Sequence, residues 1–215
     1  MRVRVPSSSA NLAAVLLFLG TSAVLAPLAA AQDLHPSRRP SPMGMARILL
    51  GDAYLRVVYS RPYERDRDVI FGKEEDGALV PFGKVWRTGA NEATEITVTA
   101  DVLVGAERKP LAAGTYSLFT IPGAESWQVL VVDKLGLSGN GYFVPGEGFT
   151  EVDVAADAIV TVTAKPTAIA EADKVDQFTI AFEKTGDAAA DMVLRWILTE
   201  VRVPFELAAA PPTEG

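Results

Sequence analysis

Apolar and polar side chains alternate with a period of two through most of the middle of the chain. Ile96, Val98, Ala100, Val102 and Val104 alternate with Glu95, Thr97, Thr99, Asp101 and Leu103. That spacing predicts a strand with one largely polar face. Phe178, Ile180 and Phe182 alternate with Thr179, Ala181 and Glu183 in the same way. Trp127–Val132 and Ile159–Ala164 are more continuously apolar, as expected of central strands in a packed sandwich. Leu55–Tyr59, Gly114–Ile121, Met192–Leu198 and Val201–Phe205 add further strand candidates. Turn signals separate them at Gly105, Gly114, Pro122-Gly123, Gly139-Asn140-Gly141 and Gly186-Asp187. The three alanines between Asp187 and Asp191 could open a helical turn, but the alternation of Met192, Leu194, Trp196 and Leu198 favours strand. The expected fold is all-β: one antiparallel β-sandwich domain of roughly eight to ten short strands over residues 46–207.

The two ends read differently. Residues 1–31 combine Arg2 and Arg4, apolar runs at Leu12–Leu19 and Ala23–Leu28, and the small-residue end Ala29-Ala30-Ala31. This order is that of a secretory signal peptide cut between Ala31 and Gln32. Gly20, Thr21, Ser22 and Pro27 interrupt the apolar stretch, so cleavage is expected rather than a retained membrane anchor. The expected location is the periplasm or the cell exterior. Residues 32–45, with Pro36, Pro40 and Pro42, read as an extended arm carrying His35 in solvent. Residues 208–215 read as a disordered tail.

Composition removes most chemistry. The 215 residues contain no Cys and one His, which excludes disulfides, thiolate nucleophiles and multi-histidine metal sites. The net charge of −7 argues against nucleic acid as a partner, and no cofactor is expected. Removal of Arg2 and Arg4 would leave 18 basic against 27 acidic side chains. Gly136-Leu137-Ser138-Gly139-Asn140 ends in Asn where a nucleophile elbow needs Gly. Gly139, Gly141, Gly146 and Gly148 fit neither a P-loop nor a dinucleotide fingerprint. Glu74-Glu75-Asp76-Gly77 reads as an acidic turn, and no metal site is expected.

Residues 79–94 are denser in chemistry, joining Trp86, Arg87, Asn91 and Glu92 through Gly83 and Gly89. Together with Tyr59-Ser60-Arg61-Pro62, Ile70-Phe71-Gly72 and the run from Ala113 to Gly123, this segment resembles the bacterial family of unknown function DUF2911. The resemblance runs from Ser41 to Phe205. It implies an exported protein and supplies no activity. The chain departs from the family pattern at residues 137–149, which are glycine-rich and lack the Trp-Gly pair of other members.

Two readings of the segment stay open at this level. As a ligand surface, Trp86 offers a flat face and Arg87, Asn91, Glu92 and Arg61 offer directional polar groups to a glycan, peptide or small molecule. As architecture, Gly89 makes a turn, Asn91 caps it, and Arg87 pairs with Glu92 to lock a crossover. The leading function is a non-catalytic exported binding or envelope module with its surface at Trp86–Glu92. The alternative is a carboxylate-dependent hydrolase of a glycan or related envelope substrate, with Glu92 as acid or base and Arg87 as stabiliser.

Overall fold

The computed structural model describes residues 38–209. The expected signal peptide with its Ala31–Gln32 junction, His35 and most of the C-terminal tail lie outside the described residues. Sixteen strands account for most of the remainder, with short 3-10 turns at Glu74–Asp76 and Glu171–Asp173. Among the described residues no helix is long and apolar enough to cross a membrane.

Two six-stranded antiparallel sheets form the sandwich. The first runs in the order β1 (Met43–Leu50), β2 (Ala53–Ser60), β5 (Thr94–Val98), β8 (Gly114–Ile121), β9 (Trp127–Val132), β12 (Ala158–Ala164). The second runs β14 (Val175–Lys184), β15 (Ala189–Ile197), β16 (Thr199–Leu207), β6 (Val102–Val104), β7 (Lys109–Leu111), with β13 (Pro166–Ala168) also paired to β16. The all-β fold is that expected from the alternating pattern. Two small pairs complete the set: β3 (Phe71–Gly72) with β4 (Val80–Pro81), which is parallel, and the hairpin β10 (Gly141–Val144) with β11 (Gly148–Glu151).

The long alternation from Ile96 to Val104 is one pattern but two strands. The chain leaves the first sheet at Val98, turns through Thr99–Asp101, and enters the second sheet at Val102. Alternation survives the switch because both sheets face one interior, where Ile96, Val98, Val102 and Val104 are all buried. Tyr54 N–H donating to Thr99 Oγ1 at 2.8 Å and Thr99 N–H donating to the Tyr54 carbonyl at 3.1 Å pin the corner.

The two continuously apolar strands also divide. β12 is an edge strand, where Val160, Val162 and Ala164 point inward and Ile159 is half exposed. β9 is apolar on both sides because both of its faces are covered. Trp127, Val129 and Val131 join the main core. Leu130 and Val132 instead join Phe119, Ala93, Leu137, Val152 and Val154 in a second apolar cluster on the opposite face. The cover is the excursion at residues 133–157, which carries the β10–β11 hairpin. At ~25 cal/mol per Å2 of apolar area removed from water, this outer layer adds real stability to an otherwise half-exposed sheet.

The acidic turn at Glu74–Asp76 is answered by lysines, with Lys73 Nζ 3.3 Å from Glu75 Oε1 and Lys84 Nζ 3.2 Å from Glu74 Oε2.

Candidate functional site

Residues 86–94 form a wound crossover into β5. Trp86 exchanges both backbone hydrogen bonds with Thr120 of β8, at 2.7 and 2.8 Å. The indole Nε1–H then donates to the Gly89 carbonyl at 2.9 Å, and Thr94 Oγ1 donates to the Thr88 carbonyl at 2.7 Å. Thr88 and Asn91 adopt φ of 53° and 57°, left-handed values that non-glycine residues hold only when neighbours fix them. Gly89 is required for a different reason. A Cβ there would stand 2.8 Å from the Ser60 carbonyl oxygen, so the backbone passes too close for any side chain.

Three of the five residues expected at a ligand surface belong to this architecture. Trp86 is a correction: it is 9% exposed, with its ring 5.0 Å from Phe178, 6.0 Å and stacked on Trp196, and 5.6 Å from Phe71. Its face is already occupied by other rings, because an indole preceding a backbone pair to Thr120 must point into the sandwich. Arg61 is held by the second sheet. Its Nε donates to the Phe178 carbonyl at 3.1 Å and its Nη2 to Thr179 Oγ1 at 2.8 Å, clipping the end of β2 to β14. Asn91 Nδ2 donates to the Ser41 carbonyl at 3.0 Å and to Ser60 Oγ at 3.1 Å, tying the crossover to the start of β1.

Arg87 and Glu92 remain, and they do not form the lock that pairing them would make. Glu92 Oε1 accepts from Arg39 Nη1 at 2.5 Å, and the Glu92 side chain is 51% exposed. Arg87 points the other way from Trp86, against the 133–157 excursion, where a Cβ on Gly139 would lie 3.5 Å from its Nη1. Its Nε is buried without a hydrogen-bond partner. Burial pushes the guanidinium below its ordinary pKa, and the Glu92 charge opposes that shift. A buried donor left unpaired typically costs about 1–3 kcal/mol, more when charged, so this arrangement needs a reason.

A cleft of about 440 Å3 is lined by Val85, Asn140, Glu151, Val152, Asp153 and Val154; Arg87 does not line it but is joined to it through Val85 in the chain and through Gly139, which precedes Asn140. Val85 lies two residues before Arg87 on the same side of an extended segment, opposite Trp86. The far wall is held in place by Ala93 N–H donating to the Leu137 carbonyl at 2.8 Å and Val152 N–H donating to the Asn140 carbonyl at 2.8 Å. Asp153 Oδ1 also accepts from Ala156 N–H at 3.1 Å, which closes the turn leading to β12. The cleft therefore offers two carboxylates, one amide and three valines, the mixture of apolar lining and a few polar groups typical of a small-ligand site.

The family whose sequence pattern matches spans residues 41–205 and is described as a protein of unknown function, DUF2911. The chain belongs to the DUF2911 family. No curated protein and no solved structure matches it. Membership assigns no activity, so the chemistry of this DUF2911 chain rests on its own residues.

Asn140, Glu151 and Asp153 were not expected at the site. A signal was present: Val152 and Val154 alternate with Glu151 and Asp153, the same period-two pattern that marks the strands. The glycines on their N-terminal side obscured it.

Proposed function

We propose that this DUF2911 protein is an exported, non-catalytic β-sandwich binding module that takes a glycan, peptide or small molecule in the cleft beside Arg87. The leader at residues 1–31 is cut between Ala31 and Gln32, and the mature protein works in the periplasm or outside the cell without a stable membrane anchor. Intact-mass measurement of the exported protein tests the processing, with a first residue of Gln32 expected and a retained Met1 contradicting it.

The observation that carries the binding reading is the cleft walled by Asn140, Glu151 and Asp153, flanked in the chain at Val85 by Arg87, whose Nε has no hydrogen-bond partner. Unanswered buried donors are rare in folded proteins and mark places where strain, a functional role, or a water or ion stands behind them. The ligand surface is thus displaced from Trp86 toward Val85 and Arg87. The hydrolase alternative gains no support from Glu92, whose Oε1 is engaged by Arg39.

The test is a thermal-shift screen of the mature protein against glycans, peptidoglycan fragments, peptides, lipids and metal ions. A ligand at 100 times its Kd stabilises by about 2.7 kcal/mol, which raises the melting temperature visibly. The reading expects at least one responder whose effect is lost in Glu151→Lys. A screen in which every response survives Glu151→Lys contradicts it.

A further inference from the structure

The β10–β11 hairpin carries the largest exposed aromatic surface among the described residues, with Phe143 65% exposed, Phe149 43% and Tyr142 42%. Exposed rings of this size on a small hairpin are unusual unless something covers them. The register decides which of them act together. Phe143 pairs with Phe149 and Gly141 with Glu151, so these positions share one face of the hairpin, whereas Tyr142 and Thr150 occupy the other. Gly141 leaves the gap into which the Phe149 ring leans, since a Cβ there would lie 2.6 Å from Phe149 Cζ. The strip therefore runs Phe143, Phe149, Glu151, and Glu151 is itself a wall of the cleft. Rings and cleft form one surface.

We propose that this strip is the stacking platform of the binding site and that its ligand is a neutral glycan. The inference deepens the reading of the cleft as a binding site and rests on it. A sugar ring has an apolar C–H face and a rim of hydroxyl donors. The strip presents the complement: flat ring faces at one end, then Glu151, Asn140 and Asp153 as hydrogen-bonding groups at the other. Two other occupants of an aromatic and acidic surface are disfavoured by geometry and charge. An organic cation is held best by several ring faces turned toward it, but Phe143 and Phe149 meet edge to face, 5.2 Å apart at 62°, so no two faces turn toward one site, and each outer face is left to stack. Polyanions and anionic lipid headgroups meet the carboxylates of Glu151 and Asp153. The platform that Trp86 does not provide is thus supplied by the hairpin.

Calorimetric titration of the mature protein with N-acetylglucosamine tetramer, cellotetraose and choline tests this, using wild type, Phe143→Ala, Phe149→Ala and Glu151→Lys. Both aromatic positions are exposed, so their variants keep the wild-type melting temperature. The expected result is binding of at least one tetrasaccharide, weakened about tenfold in each Phe→Ala variant, the effect of losing one stacked ring. A tetrasaccharide bound equally by wild type and both Phe→Ala variants, yet lost in Glu151→Lys, overturns the platform and leaves the cleft standing. Choline bound in preference to both sugars, or neither sugar bound while another ligand still depends on Glu151, overturns the glycan class alone. Binding that ignores Glu151→Lys overturns the cleft reading as well. A concentration-dependent dimer in sedimentation that Phe143→Ala abolishes assigns the strip to self-association and overturns the proposal.

Discussion

The two sheets share an interior but finish their outer faces in opposite ways. On the second sheet, Arg195 and Arg202 lie on β15 and β16 among Glu183, Asp191 and Glu200. Arg195 reaches Glu200 at 2.5 Å and Glu183 at 2.9 Å, while Arg202 reaches Glu200 at 2.6 Å, Glu183 at 2.8 Å and Asp191 at 3.3 Å. Arg195 is answered by carboxylates on both neighbouring strands, and Arg202 by Glu200 of its own strand, Asp191 of β15 and Glu183 of β14. On the first sheet, Arg87 is half-buried against the 133–157 excursion with its Nε buried and unanswered. The contrast separates two uses of the same side chain. Charges on the second sheet are paired within the fold, whereas Arg87 keeps one donor, its Nε, without a partner. The excursion makes the difference, because it removes water from Arg87 without bringing a carboxylate to its Nε.

The largest effect belongs to what the two faces have in common. Trp86→Ala removes a ring packed against Phe71, Phe178 and Trp196 and should cost about 3–5 kcal/mol in chemical denaturation. Trp86→Phe should cost less, by the loss of the Nε1 hydrogen bond to Gly89 and part of the ring. A loss under 1 kcal/mol for Trp86→Ala would return the indole to the surface and undo the correction.

Glu200→Gln comes next. Glu200 is 9% exposed and accepts from both arginines, so a neutral amide there should cost about 1–3 kcal/mol. The same carboxylate sets an acid dependence. Burial alone would raise the Glu200 pKa, but hydrogen bonds from Arg202 and Arg195 outweigh it and hold the group below the ordinary carboxylate range. Glu183 is lowered as well, first by its hydrogen bonds from Arg202 and Arg195. A carboxyl depressed in the folded state binds its proton more readily when unfolded. Its stabilisation is therefore complete above about pH 4.3, the ordinary glutamate value, and fades as pH falls through the lower folded value. Urea denaturation between pH 5 and 3 should show this acid limb, and Glu200→Gln should flatten it. An unchanged limb in the variant would remove Glu200 from the network.

Phe143→Ala sits at the small end. Exposed and away from both cores, it should shift stability by no more than about 0.5 kcal/mol. A larger loss would mean that the hairpin aromatics pack the excursion rather than present a surface.

Much of this contrast was legible in the sequence on one side only. The alternations in Phe178–Phe182, Met192–Leu198 and Val201–Phe205 predicted the strands of the second sheet, because a strand with one face in the core and one in solvent advertises its period. The first sheet was harder wherever both faces are covered: the continuous apolar run of β9 said nothing about the second layer over Leu130 and Val132. Alternation also concealed the passage of Ile96–Val104 from one sheet to the other, since the inward side is the same in both. At the site, the density of chemistry around Trp86 was visible, but the direction of each side chain was not. Arg61 and Asn91 are committed to Phe178, Thr179, Ser41 and Ser60, partners far away in sequence that no local pattern names. Glu151 and Asp153 enter the cleft only through the return of a glycine-rich excursion, whose path is set by the burial of Leu137, Val152 and Val154.

The most direct measurement compares Arg87→Met with Arg202→Met by urea denaturation of the same mature protein at neutral pH. Arg202→Met leaves Asp191 without its arginine and Glu183 and Glu200 with Arg195 alone, and should cost about 1–2 kcal/mol, a figure reduced by solvent screening of a side chain that is 39% exposed. Arg87→Met removes a desolvated charge without taking a hydrogen bond from its Nε, so stability should stay within about 1 kcal/mol of wild type or rise. An Arg87→Met loss as large as that of Arg202→Met would make this guanidinium finished structure like the other, and would contradict a face held open for a ligand.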